Sequence, residues 1–367
     1  MRRIGVANAV SAELAPELLA ARLGRFEALR RRPLLLFAGG VVLLLTAIVA
    51  GVVLGNVPLP LSDTLAILGH RLFDVPSAVT WPASSETIVV ELRLPRVLTA
   101  AVVGTGLAVS GTTFQGLLRN PLADPYVLGT ASGAALGAAI AVLVPVQFAL
   151  LGLGLTNLLA FAGALLAVML VYRLSGGGAG SMTSVLLTGY AVGSLLAAGL
   201  SMAMYLAGAN LRQIFFYLLG SFATASWQQL AFGLPIIGIG TALILARARS
   251  LNALLLGEET ALHLGLDVRR ERTILLALAS LVTAAAVALA GLIGFVGLVV
   301  PHVVRLVVGP NARLVLPLSA LYGASFLVFA DLAARIPGEL PVGIVTAIVG
   351  APFFLVLLRR FRSGYDL

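Results

Sequence analysis

Long apolar segments with almost no charge are the feature that most constrains the fold of this chain. Of its 367 residues, 60% are hydrophobic and only 11% are charged. A soluble domain needs more polar surface than this, whereas about 20 apolar residues in a helix cross a bilayer. We therefore predict an all-α polytopic membrane protein with about ten transmembrane helices. The predicted spans are 34–55, 95–118, 126–145, 148–172, 183–207, 229–247, 273–292, 294–308, 314–333 and 341–358.

The distribution of basic residues predicts the orientation of these spans. Every basic residue is an arginine, and cytoplasmic loops retain positive charge. If the N-terminus is cytoplasmic, most arginines lie in cytoplasmic segments, so we predict that both termini are cytoplasmic. Residues 1–33 would form an amphipathic lead on the membrane, 34–358 a single transmembrane domain, and 359–367 a cytoplasmic tail. The arginines left outside are Arg71, Arg93, Arg96, Arg212 and Arg335.

Several classes of chemistry are disfavoured by the residues that the chain contains. It has no cysteine, which excludes disulfides and thiol chemistry. It has no lysine and so no Walker A motif, which predicts that any ATP is bound and hydrolysed by another subunit. His70, His263 and His302 are too dispersed for a metal-ligand pattern. We therefore predict no catalytic residues, metal or cofactor on this chain, and we attribute its basic excess to membrane topology rather than nucleic acid.

The stretch 250–272 interrupts the apolar pattern with a short charged, amphipathic segment. Gly257 and Gly265 bracket a possible two-turn helix, and Asp267 is a plausible N-cap for the next helix. Flanking arginines place the stretch in the cytoplasm. Two interpretations fit: a platform for a soluble partner, or a solvated loop between two spans.

Two arginines begin the second predicted span on the outer side. Pro95 suits the first turn of a helix, which would hold Arg93 and Arg96 at the outer membrane surface. They would then be headgroup anchors or a docking point for an acidic partner. Asp331 lies near the outer end of the ninth span, where we interpret it as a cap or a local partner of Arg335.

The centres of the predicted spans contain no Asp, Glu, Lys or Arg. A proton- or sodium-coupled carrier usually needs such groups as a relay or ion site. Their absence favours a machine whose energy enters through another subunit, with a secondary transporter or channel as the alternative class. The turn at 120–125 contains two prolines and is therefore rigid.

A set of motifs in fixed order gives the chain a specific resemblance. These motifs are LRLPR at 92–96, NPLADP at 120–125 followed by Leu128 and Gly129, LGE at 256–258, LGL at 264–266, GFVGLVVPHVVR at 294–305, Asp331, ELPVGIVTA at 339–347 and GAP at 350–352. With them the chain resembles the permease subunit of type II ABC importers, the family that imports vitamin B12, iron–siderophores and haem.

The resemblance implies an assembly in the plasma membrane of a bacterium or archaeon. It implies a homodimer with the translocation path along the dimer interface, and inverted repeats formed by spans 2–5 and 7–10. Two ABC ATPase subunits would bind on the cytoplasmic side, and a substrate-binding protein would dock on the outer side.

The resemblance also implies roles for individual residues. Docking of the binding protein falls to Arg93, Arg96 and Arg335. The cytoplasmic gate comprises Asn120, Leu122, Met182 and Thr183. Residues 253–270 match the coupling helices that bind the ATPase. The residues assigned to coupling are Leu256, Gly257, Glu258, Glu259, His263, Leu264 and Gly265.

The substrate is the least constrained part of the resemblance. Residues 212–226, RQIFFYLLGSFATAS, would line the path together with the fifth span. This segment departs from the pattern of the B12 importer, and its Leu-Gly-Ser-Phe core is more similar to iron-chelate members. We therefore predict transport of an iron–siderophore or haem, with cobalamin as the alternative.

Overall fold

In this computed structural model, the described residues are 33–75, 79–146, 148–150, 152–177, 181–336 and 338–362. The predicted amphipathic lead lies outside them apart from Pro33, and so do the last five residues of the predicted tail.

The described chain is almost entirely helical, with one small antiparallel hairpin between β1 (Ala149–Leu150) and β2 (Leu153–Gly154). A π-helical turn, Ile88–Arg93, joins α3 to α4 and makes them one continuous helix. The helices are α1 Pro33–Val53, α2 Leu61–Phe73, α3 Ala83–Thr87, α4 Leu94–Leu117, α5 Thr130–Leu143, α6 Leu155–Leu174, α7 Met182–Leu206, α8 Leu211–Leu219, α9 Trp227–Ala246, α10 Ala248–Leu255, α11 Glu258–His263, α12 Val268–Ala290, α13 Val296–Val308, α14 Ala312–Arg335 and α15 Val342–Arg362.

Every predicted span has a helix at its position, which confirms the all-α membrane fold. Within the described ranges, seven helices are long and apolar enough to cross a bilayer, and α5, α13 and part of α15 are shorter apolar helices. α5 and α13 are short because each follows a break with a left-handed residue, Gly129 (φ 73°) and Phe295 (φ 70°). α15 continues to Arg362, beyond the predicted end at residue 358.

Helix packing agrees with the predicted inverted repeats. α4 packs against α13 and α14, and its counterpart five spans later, α12, packs against α5 and α6. Within the repeats, α5 contacts α6 and α7 as α13 contacts α14 and α15. Each half of the bundle therefore supplies a central helix that packs on the other half.

Glycines allow the central helices to approach very closely. A Cβ atom on Gly111 of α4 would lie 1.9 Å from the carbonyl oxygen of Gly297 in α13. A Cβ on Gly137 of α5 would lie 2.0 Å from the carbonyl oxygen of Leu159 in α6. Small residues at such crossings bring helix backbones into contact in lipid, where no hydrophobic force drives helices together.

The bundle has two ends, which we name by their position. The basic end holds the start of α1 and the segments 118–129, 175–177, 247–267 and 309–311. The opposite end holds the end of α1, the start of α4, the β-hairpin, α8 and the end of α14.

Candidate functional site

The charged stretch at the basic end forms two short helices, whereas the residue pattern predicted one, between Gly257 and Gly265. α10 and α11 are separated at Gly257 (φ 111°), and Gly265 (φ 78°) follows α11. The Asp267 side chain accepts a hydrogen bond from the backbone N–H of Arg270 at 3.0 Å. This bond confirms Asp267 as the N-cap of α12 and fixes the direction in which the chain returns to the membrane.

Ion pairs and buried side chains hold these two helices against the bundle. Ala261 of α11 is fully buried, and Arg272 Nη1 of α12 lies 3.0 Å from Glu258 Oε1. Arg247 Nη1, before α10, lies 2.5 Å from Glu271 Oε1. α11 is therefore a fixed part of the bundle surface and not a solvated loop without contacts.

The side of α11 that faces away from the bundle is partly apolar. Leu256, Leu262 and Leu264 are each more than half exposed, beside exposed Glu259 and His263. We call these five residues the coupling surface. Its leucines lie beyond the membrane spans, and exposed apolar patches of this kind mark interaction sites.

The coupling surface includes most residues that the resemblance assigned to coupling. Gly257 and Gly265 shape its turns, and Glu258 fixes α11 to α12. Leu262 was not among the residues named from the sequence. In the structure its side chain is exposed, next to buried Ala261 in α11.

The arginines predicted at the outer surface are buried in this chain. Arg93, Arg96 and Arg335 are at most 9% exposed. Arg96 donates hydrogen bonds to Asp331 from Nε at 3.1 Å and from Nη2 at 2.9 Å. Arg335 Nε lies 3.1 Å from the other oxygen of Asp331. The expectation of exposed charges is therefore wrong, whereas Asp331 is a local partner of Arg335 as interpreted from the sequence.

Arg93 and Arg335 also bind the end of α1. Arg93 Nη1 donates to the carbonyls of Val52 at 2.9 Å and Val53 at 2.7 Å, and Arg335 Nη1 donates to Gly51 at 3.1 Å. The last carbonyls of a helix have no partner within the helix and carry partial negative charge. The two guanidinium groups therefore cap α1 and join it to α4 and α14.

Glu339 completes this arrangement at its exposed edge. Its carboxylate lies 2.8 Å from Arg96 Nη1 and accepts a hydrogen bond from Asn56 at 3.2 Å. We call Arg93, Arg96, Asp331, Arg335 and Glu339 the arginine cluster.

The predicted gate residues lie at the basic end in two separate segments. Asn120 accepts a hydrogen bond from the backbone N–H of Leu122 at 2.9 Å, which makes the proline-containing turn rigid. Met182 and Thr183 begin α7, and Thr183 is exposed. Among the described residues, no hydrogen bond joins the two segments.

The later part of the same turn packs against α7. A Cβ on Gly189 would lie 2.6 Å from the carbonyl oxygen of Val127. A cavity of about 490 Å³ lies between this turn and the adjoining part of α7. The next turns of α7 expose a long face that includes Tyr190 and Tyr205, the latter 85% exposed.

Polar side chains satisfy the backbone where α12 ends. The carbonyl of Val287 accepts from the Tyr217 hydroxyl at 2.9 Å, and that of Ala288 accepts from Asn157 Nδ2 at 2.6 Å. The hydroxyl of Tyr126 donates to the carbonyl of Ile293 at 2.9 Å. Broken backbone at membrane depth needs such partners. These bonds attach α8, which carries Tyr217, to the end of α12.

The described residues offer no arrangement suited to a bound metal. Within them, no group of three or more His, Cys, Asp or Glu side chains could hold a metal ion. The sequence-based expectation that this chain carries no cofactor stays a prediction.

The described residues form a polytopic bundle of two repeats, with two short helices held against its basic end. The family model described as the FecCD transport family matches residues 35–360. The chain belongs to this family, whose members are the permease subunits of type II ABC importers. It is an integral protein of the plasma membrane.

Named relatives and a solved structure agree with this placement. The chain is 46% identical to the cobalamin import system permease protein of Halobacterium salinarum, over 84% of this chain and 81% of the relative. It is 43% identical to the hemin transport system permease protein of Yersinia pestis, over 74% and 83%. A structure titled as an inward-facing conformation of a putative metal-chelate type ABC transporter matches with a TM-score of 0.76 and 32% identity, over 88% of this chain and 98% of that one.

Proposed function

We propose that this chain forms the membrane path of an ATP-driven importer for a bulky metal chelate. Separate ATPase subunits bind at the basic end, and a substrate-binding protein docks at the opposite end. The observation that carries the proposal is the coupling surface, because its exposed leucines lie outside the membrane while Glu258 and Arg272 fix α11 to a central helix. A partner that moves α11 would act directly on α12.

The basic end faces the cytoplasm in this proposal, so both termini are cytoplasmic. The support is the concentration of arginines in the segments at this end, since positively charged loops are retained there. The arginine cluster then lies at the outer face. The outer-face residues Arg93, Arg96 and Arg335 would serve docking by holding α1, α4 and α14 in place and not by presenting free charge.

A second copy of the chain covers the exposed face of α7. This helix is long enough to cross a bilayer, yet only 17% of its most apolar 18-residue stretch is buried within one chain. Phe215 and Phe216 on α8 are also exposed beside it. The homodimer would place α7, α8 and the gate residues around one central path.

The substrate class is a metal chelate, with haem or an iron–siderophore as first candidate. The support is the Leu-Gly-Ser-Phe core of the path-lining segment and the 43% identity to a hemin permease. Cobalamin is the second candidate, favoured by the 46% identity to a cobalamin permease. Uptake of each labelled chelate in competition with the others would decide between them. Transport of none of the three would overturn the proposed substrate class.

The coupling surface leads to a prediction about ATPase attachment. Replacing Leu262 and Leu264 together by Asp should lower ATPase co-purification at least about tenfold, because two unpaired carboxylates would be placed in an apolar contact. Quantitative immunoblotting of the ATPase bound to tagged permease measures this.

The control for that experiment is Arg313→Ala, an exposed position at the basic end on α14. It should retain the ATPase as the original chain does. The double variant should insert into the membrane as well as the original chain does. ATPase retention by the double variant at the level of the control would remove the coupling surface from the proposal.

The gate gives a second prediction, which uses the absence of cysteine in the chain. Single cysteines at Asn120 or Thr183 should cross-link two copies across the dimer axis. The yield should change between nucleotide-free and nucleotide-bound complexes, because the gate opens and closes. Non-reducing gels report the dimer band.

A cysteine at Val42, on the exposed face of the apolar helix α1, serves as the matched control. We assign this face to lipid and not to the dimer axis. It should give no dimer band. Absence of a band for Asn120→Cys and Thr183→Cys in every nucleotide state would exclude them from the path.

A further inference from the structure

A second cavity at the basic end lies outside the proposed path. It has a volume of about 290 Å³ and is enclosed by α6, α7 and α12. Most of its lining is apolar, and it includes Leu165 and Val168 of α6, Val185 of α7 and Leu276 of α12. Arg272 also lines it, one turn nearer the start of α12 than Leu276.

Three exposed arginines are close in sequence to residues that line the basic side of this cavity. Arg173 is in the last turn of α6, next to the lining residue Tyr172, and Arg269 and Arg270 are in the first turn of α12. All three are exposed, and none forms an ion pair within the described chain.

Two of the carboxylates near these arginines form ion pairs with other arginines. Glu258 pairs with Arg272, and Glu271 pairs with Arg247. Asp267 caps α12 through the backbone of Arg270. Glu259 is exposed on the coupling surface. Three exposed arginines without an ion pair in the described chain therefore lie at the basic end, close to the cavity lining in sequence.

We propose that this cavity holds an acyl chain of an anionic phospholipid from the leaflet at the basic end. Basic pockets between transmembrane helices on the cytoplasmic side bind anionic headgroups, and arginines near the membrane surface attract anionic lipids. An apolar cavity does not hold water well, so its occupant needs an apolar part. A free phosphate ion has no such part. The phosphate group binds Arg173 together with the arginines at the start of α12.

The position of Arg272 links this lipid to the coupling surface. Its guanidinium lines the cavity and also binds Glu258, which fixes α11. A bound lipid would thus contact the side chain through which α11 is attached to α12. The lipid site itself requires no assumption about the substrate or about ATP.

Native mass spectrometry of the purified full-length chain tests the proposal. Phosphatidylglycerol and phosphatidylcholine with identical acyl chains are titrated separately. The chain should retain one phosphatidylglycerol per copy in preference to phosphatidylcholine. Arg173→Gln should weaken retention of phosphatidylglycerol about fivefold and leave phosphatidylcholine unchanged. Inorganic phosphate alone should not displace the lipid.

Filling the cavity tests the position of the acyl chain. Val168→Phe should abolish preferential retention, whereas Leu166→Phe on the exposed side of the same helix should not. A phosphatidylglycerol with a photoreactive acyl chain should label α6 and α12 of the original chain, which requires no variant. Equal retention of both lipids, labelling elsewhere, or unchanged retention by Val168→Phe would overturn the proposal.

Discussion

Replacing Asp331 by Ala should destabilise the protein by about 3–5 kcal/mol, the range for removing one partner of a buried ion pair. Asp331 is 1% exposed and is the carboxylate shared by Arg96 and Arg335. Without it, two buried guanidinium groups face each other with no counter-charge between them. Thermal unfolding followed by fluorescence size-exclusion chromatography in detergent measures the loss.

Glu339→Gln is the matched control for that substitution, because Glu339 also contacts Arg96 but is 44% exposed. Solvent screens such a pair, so its loss should cost at most about 1 kcal/mol. If both variants unfolded at the temperature of the original chain, the arginine cluster would not hold α1, α4 and α14 together. The same reasoning predicts that Arg93→Glu with Arg96→Glu destabilises the protein. If both arginines were exposed, the same substitutions would change its stability little.

Replacing Gly111 by Ala should separate the two central helices α4 and α13. The new Cβ would lie 1.9 Å from a backbone oxygen of Gly297, so one of the two helices must shift. Overpacking of this kind typically costs about 1–3 kcal/mol and more where backbone is involved. The expected result is a lower unfolding temperature and a smaller yield of monodisperse protein.

Gly238→Ala in α9 provides the control, since no heavy atom lies within 4 Å of its added Cβ. Alanine has the higher helix propensity, so this variant should be neutral or slightly more stable. Equal unfolding temperatures for the two alanine variants would show that α4 and α13 do not touch at Gly111.

Features set by local sequence were predictable. The apolar segments indicated every span, and Gly257, Gly265 and Asp267 indicated α11 and the start of α12, because caps and left-handed turns depend on neighbouring residues. The short lengths of α5 and α13 were less predictable. Their apolar runs continue through the breaks at Gly129 and Phe295. These breaks pack against segments distant in sequence, Gly129 beside Gly189 and Gly193 of α7 and Phe295 beside Gly350 of α15.

The arginine cluster could not be predicted because its contacts are distant in sequence. Arg96 and Asp331 are 235 residues apart, and Arg93 reaches carbonyls about 40 residues earlier. The local sequence around Pro95 does not distinguish arginines that face water from arginines that bind the end of α1. The resemblance supplied a docking role, and only the fold shows that the side chains are already occupied within one chain.

ATP-driven uptake in proteoliposomes tests the central claim most directly. The chain is reconstituted with its ATPase and binding protein, and the labelled chelate retained by that binding protein is added outside. The account predicts accumulation that requires ATP on the side of the basic end and that the Leu262→Asp, Leu264→Asp variant abolishes. Accumulation by the permease alone, driven by a proton or sodium gradient without ATP, would contradict it.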